Sequence, residues 1–148
     1  MPISINGAMM RQIIMDHYEH PRNKREPENK DEYKKIHMDS ASCIDDIYVY
    51  LKEENGIIVD VCFTGIACTI ATASTSIMTE LVIGKKKEEA YYIIEQYQNM
   101  ISEKEFDDEV LDEAIVFINT SKQASRIKCA TIGWNGLKYL LDGKEVAE

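Results

Sequence analysis

Met10, Ile13, Ile14 and His17 recur at the spacing of one helix face, and Pro21 stops the run, which predicts a helix from Ala8 to His20. Polar residues from Arg22 to Glu32, with Pro27 and Asn29 among them, predict an exposed loop. The period then drops to two. Lys35 to Asp39 is a short alternating segment. Ile47, Val49 and Leu51 alternate with Tyr48 and Tyr50, and Val59, Val61 and Phe63 alternate with Asp60, Cys62 and Thr64. Asn55-Gly56 between the last two runs predicts a tight hairpin, because both residues accept positive φ. Helical spacing then returns four times. Ile70, Ala73, Ile77, Met78 and Leu81 lead up to Gly84, and Ala90, Ile93, Ile94, Tyr97 and Ile101 mark the next helix. Leu111, Ala114, Ile115 and Ile118 mark a third, and Ile127, Ala130, Trp134, Leu137 and Leu141 a fourth, closed by Gly143. Strands first and helices afterwards predict an α+β fold: a small antiparallel sheet of three strands, with the N-terminal helix and a C-terminal group of helices packed on one face.

The length of 148 residues suits one domain over 1–148, with residues 1–9 a candidate disordered extension. That size can bury a core without disulfide staples. No apolar run reaches the roughly 18 residues that span a bilayer, and the first ten residues lack the basic and apolar regions of a signal peptide. The expected location is cytoplasmic, where four cysteines are thiols or metal ligands rather than bridges. A net charge of −9 argues against nucleic acid as a partner, and nothing favours a membrane surface. The one basic run, Lys85-Lys86-Lys87, follows Gly84 and precedes Glu88-Glu89, so it reads as a solvated helix junction.

The cysteines carry the chemistry. Cys43 lies in the loop before the Ile47 strand and Cys68 where the Phe63 strand turns into a helix. Cys129 is placed by the pattern in the first turn of the last helix. Free N–H groups at a helix start favour a thiolate, the form that binds metal or attacks sulfur. Asp45, two residues after Cys43, can present its side chain on the same side of an extended chain. Three thiolates and a carboxylate would suit a soft divalent ion. The carboxylate is the more easily displaced donor, which suits a site that must open. Spacing alone leaves a second reading open, in which each cysteine is a small buried hydrophobe. No CxxC knuckle is present. Cys62 reads as a plain strand residue, His17 as a packed one on the apolar helix face, and Trp134 as core. His20 reads as a helix-end residue, and His37 points off a short strand.

Several stretches resemble SufU-type proteins, the Gram-positive branch of the IscU-like iron–sulfur cluster assembly family. They are Met10-Arg11-Gln12-Ile13-Ile14-Met15-Asp16-His17-Tyr18, then Pro21-Arg22-Asn23-Lys24, then Cys-x-Asp at 43–45. Gly65-Ile66-Ala67-Cys68-Thr69-Ile70-Ala71-Thr72-Ala73-Ser74 and Arg126-Ile127-Lys128-Cys129-Ala130-Thr131 follow, with Trp134 at the expected distance. The resemblance runs from about Met10 to Leu141. The long segment before the last cysteine also looks like the SufU branch, as does Lys128 where IscU proper has histidine. The resemblance implies Cys43, Asp45, Cys68 and Cys129 as ligands of Zn2+ or of a transient [2Fe–2S] cluster. It implies Cys43 as acceptor of persulfide sulfur from a cysteine desulfurase (SufS-like) that uses pyridoxal phosphate, with sulfur passed on to downstream cluster-assembly or acceptor proteins. Arg126 takes the family's basic position before the last cysteine and is a candidate catalytic residue. Three positions depart from the family pattern. Ile44 stands where glycine usually separates the cysteine from the aspartate. Gln123-Ala124-Ser125 replaces a Phe-Pro pair, and Arg25 replaces a glycine. Three roles follow: a zinc-dependent sulfur acceptor, a scaffold for a labile [2Fe–2S] cluster, or a zinc-stapled adaptor without chemistry. The Asp45 donor disfavours the last, because a staple gains from tighter ligands.

Overall fold

A computed structural model describes residues 6–40 and 44–144. Helix α1 (Gly7–Glu19) starts at Asn6, whose side-chain oxygen accepts the Met9 N–H at 2.9 Å, the usual way an asparagine satisfies a helix start. Strands β1 (Lys34–Asp39), β2 (Asp46–Glu54) and β3 (Ile57–Ile66) form an antiparallel sheet in chain order. The β2–β3 hairpin turns at Asn55 and Gly56, both at positive φ. Helices α2 (Thr69–Val82), α3 (Lys87–Ile101) and α4 (Ala124–Leu141) follow. They share one core with the inner sheet face of Ile36, Ile47, Val49, Leu51, Ile58 and Val61. Among the described residues, no helix is long and apolar enough to cross a membrane.

Helix α2 is the centre of the molecule. Every residue from Ala71 to Thr79 is buried, including three threonines and two serines. Small side chains let neighbours approach on all sides. At the crossing of α2 with α4, a Cβ on Gly133 would collide with the Thr75 side chain, so the two helices are as close as a glycine permits.

Three local departures from the sequence pattern have physical causes. Val59 is exposed and Ile58 takes the inward place. The pairing shifts between Lys52 and Glu53, so Val59 is the extra residue of a β-bulge. The segment around Leu111 to Ile118 is not an α-helix but a series of 3-10 turns, at Asp108–Val110, Asp112–Phe117 and Thr120–Lys122. Asp107 accepts the Glu109 N–H at 3.2 Å, and Asp112 sits at φ 45, so the chain is turned locally rather than wound. Leu111, Ala114 and Ile115 are nevertheless buried as the pattern requires, while Ile118 is half-buried. The predicted loop after α1 is anchored rather than free. Pro27 is buried, Lys24 bridges to Phe63, and Arg25 donates to both oxygens of Asp60 at 2.9 Å. Tyr33 donates to the same carboxylate at 2.6 Å. Arg25, the residue in place of a family glycine, thus ties the loop to β3. Desolvation pushes the Cys62 thiol on that strand up to about 11, so it is a poor thiolate at neutral pH.

Candidate metal centre

β3 ends where Gly65 adopts φ 116, and a Cβ there would strike the Asp46 carbonyl oxygen. Only glycine lets β3 press this closely on the start of β2. That contact brings the residue before β2, Asp45, beside the residue that opens α2, Cys68. Cys68 is the N-cap of α2 and its sulfur accepts the Ala71 N–H at 3.4 Å, as the sequence pattern anticipates. The Cys68 backbone N–H donates to Asp45 Oδ1 at 2.8 Å, and the Cys68 thiol lies 3.9 Å from Oδ2. Asp45 is 1% exposed, rare for a carboxylate.

Cys129 completes the described cluster. Ligand atoms of Asp45, Cys68 and Cys129 all lie within 4.8 Å of one another. Helix α4 begins at Ala124, so Cys129 stands in its second turn and not its first. The helix-start argument for a thiolate therefore applies to Cys68 and not to Cys129. Cys43 lies outside the described residues. Ile44 is 64% exposed and Ile66 68% exposed, so the cluster's approach has an apolar rim. Ile44 is absent from the described residues with positive φ, so replacing glycine there costs no left-handed strain. Three groups that can each carry a negative charge converge in a largely buried place, and a divalent cation relieves that repulsion. Two sulfurs and an oxygen fit a soft or borderline ion.

A buried hydrogen-bond set supports Cys129 from behind. The carbonyl of Ala130, the next residue, accepts from Ser74 Oγ at 2.6 Å and from Tyr97 Oη at 2.7 Å. Trp134 Nε1 donates to Ser74 Oγ at 2.9 Å, and the Tyr97 and Trp134 rings stack at 3.9 Å. Burial raises the Tyr97 phenol's pKa far above its ordinary value, which keeps it a donor. Tyr97 and Trp134 read from the sequence as core alone. A buried Tyr and Trp each need a polar partner, and that need was the available signal.

A second cluster joins His17, Glu80 and Glu113. His17 is buried, with Nε2 at 2.8 Å from Glu113 Oε1 and Nδ1 at 2.8 Å from Ser76 Oγ. Ser76 Oγ already accepts the Arg22 N–H at 2.8 Å. Its hydroxyl proton is then free for Nδ1, which puts the ring proton on Nε2, facing Glu113. Arg22 Nε stands 3.9 Å from Glu80, so this cluster carries its own cation. It is a strut that ties α1 and the 3-10 segment to α2. His17 is packed, as the sequence indicates. His37 is hydrogen-bonded to Asp46 and stacked on Tyr48, in neither cluster. Arg126 is exposed, and no ion pair links it to a described carboxylate.

These features define a small α+β protein built around a sulfur-and-carboxylate donor cluster at the meeting of a hairpin and two helices. The chain belongs to the family of the NifU-like N terminal domain, whose profile matches residues 9–132. It is 36% identical over 132 residues to the zinc-dependent sulfurtransferase SufU of Bacillus subtilis, covering 88% of each chain. It is 33% identical over 139 residues to the iron-sulfur cluster assembly scaffold protein IscU of Streptococcus pyogenes, covering 93% of this chain and 86% of that one. Among solved structures it resembles the putative SUF-system scaffold protein of Fervidobacterium islandicum, with TM-score 0.81, 34% identity, and coverage of 88% of this chain and 94% of that one.

Proposed function

We propose that this protein is a zinc-binding sulfur acceptor in iron–sulfur cluster assembly, taking persulfide sulfur from a pyridoxal-phosphate cysteine desulfurase through Cys43. The observation that carries the reading is the convergence of Asp45, Cys68 and Cys129. Cys43, two residues before Asp45, would supply the fourth donor. Zinc, when bound, would hold the cysteines as thiolates at neutral pH. With four anionic donors the centre carries a formal charge of about −2. Arg126, one turn before Cys129, would offset part of it and favour an incoming anionic sulfur.

The chain's own chemistry is a thiol–persulfide exchange. The Cys43 thiolate attacks the outer sulfur of the donor's cysteine persulfide. A bond forms between Cys43 Sγ and that sulfur, the donor's S–S bond breaks, and the donor cysteine leaves as a thiolate that takes up a proton. The apolar rim of Ile44 and Ile66 would exclude water around the exchange. Mass spectrometry after incubation with a desulfurase and free cysteine tests the assignment. One added sulfur on the wild type and none on Cys43→Ala is expected, and an added sulfur on Cys43→Ala overturns it.

A second reading is favoured by the carboxylate donor and by the relatives named as scaffolds. Three thiolates and one oxygen would suit a [2Fe–2S] cluster built for transfer rather than storage. Iron and sulfide retained after anaerobic purification would support that role.

A further inference from the structure

We infer that a groove beside the donor cluster receives an acidic, partly apolar segment of the sulfur donor, with Arg11 as its recognition residue; this rests on the sulfur-acceptor reading. The groove has a volume of about 530 Å³ and runs between α1, the start of α2, the 3-10 segment and the start of α4. Met10, Ile14, Ile70 and Val116 give it an apolar floor, and Arg11 and Arg126 stand in its lining. None of its lining residues is acidic, in a chain with 26 acidic and 17 basic residues.

The arginines divide into two pairs. Arg22 binds Asp16 at 2.7 Å and Arg25 binds Asp60 at 2.9 Å. Arg11 and Arg126 make no ion pair with a described carboxylate, and both line this groove. In a protein this acidic, a guanidinium such as that of Arg11, without a described carboxylate and farther along the chain from the donor residues than Arg126, is a directional signal. A bare anion would leave the apolar floor uncovered. A peptide with one or two carboxylates beside apolar side chains satisfies both features. The position is suited to delivery. Thr69 and Ile70 follow Cys68 directly, and Arg126 is three residues before Cys129, so a segment seated here sits next to the cluster. The net charge of −9 would repel an acidic partner at long range, which leaves recognition to this short-range contact.

The zinc-loaded full chain is titrated into a cysteine desulfurase turning over free cysteine, and alanine release is followed. Arg11→Glu should raise the half-saturating chain concentration about fivefold to tenfold, as for reversal of a partly exposed ion pair, with kcat and zinc content unchanged. Arg11→Lys should recover most of the loss, and 0.5 M salt should narrow the gap between wild type and Arg11→Glu. An unchanged half-saturating concentration overturns the inference and leaves sulfur acceptance standing. A fall in kcat alone also overturns it. If the wild type accepts no sulfur, the acceptor reading fails, and sedimentation of the desulfurase with wild type and Arg11→Glu still reads the groove. Equal affinities there overturn it. A thermal melt of Arg11→Glu matching wild type confirms that the comparison is between folded proteins.

Discussion

The two clusters of ligating side chains among the described residues have similar dimensions and opposite character. Asp45, Cys68 and Cys129 offer soft donors and a displaceable carboxylate behind an exposed apolar rim. His17, Glu80 and Glu113 are met by Arg22 and by the hydroxyl of Ser76, so their charges and ring nitrogens are answered within the fold. The second cluster is answered from inside the fold, and the first is the one proposed to take an ion. Proximity of ligating atoms is therefore a poor guide to a metal site. The chemistry of the donors, two soft sulfurs in one cluster against an imidazole and two carboxylates in the other, is the better one.

That contrast can be broken at four points. The widest gap should be in thiol reactivity. In chelator-stripped protein at pH 8, iodoacetamide should label Cys68 and spare Cys62, whose thiolate fraction is then about one in a thousand with the thiol near 11. Cys62 labelling should rise about tenfold per pH unit until pH approaches that value, because the thiolate is the reacting form. Equal rates at pH 8, read by peptide mass spectrometry, would show that Cys68 is not an available donor. Next in size, Asp45→Ala or Cys68→Ala should lower zinc affinity by about 100-fold or more, whereas Glu80→Gln should leave zinc per chain unchanged. A chelator competition assay measures both, and loss of zinc in Glu80→Gln would erase the contrast. Third, His17→Ala should cost about 2 kcal/mol of stability in a urea titration, because it empties a buried position and leaves the buried Ser76 hydroxyl without its ring partner, with zinc content retained. The smallest effect concerns the support behind Cys129. Tyr97→Phe keeps the ring stack and deletes one donor to the Ala130 carbonyl. It should speed zinc release about threefold, with a shifted thiolate-to-cobalt band in the cobalt-substituted protein. An unchanged band would reduce Tyr97 to core packing.

The sheet, α1, α2, α3 and α4 were legible because apolar period and turn chemistry agree there. The Asn55-Gly56 turn is the clearest case, since both residues take the left-handed conformation that the pair favours. The stretch from Leu111 to Ile118 was not legible. Leu111, Ala114, Ile115 and Ile118 recur at helical spacing, but Asp107 and Asp112 turn the backbone locally, and a hydrophobic period does not register that competition. Val59 failed for a related reason, since one inserted residue reverses which face a strand residue occupies. At the candidate centre, the residue types were readable and the placement of Cys129 was not. The helix starts five residues before it, after Gln123, which makes no side-chain capping bond, so its depth in α4 had no sequence signal. The His17 strut was hidden because its partners come from residues 59 and 96 positions away.

The close crossing of α2 and α4 at Thr75 and Gly133 would act as the fulcrum of any rocking between them. Cys129 lies four residues from it on one helix and Cys68 seven on the other, lever arms of roughly 6 and 10 Å at a rise of 1.5 Å per residue. A tilt of about 3° across the longer arm displaces a sulfur by about half an ångström, beyond the tolerance of about 0.2 Å for a metal–ligand bond. Rocking too slight to disturb the core would be enough to loosen the grip on an ion.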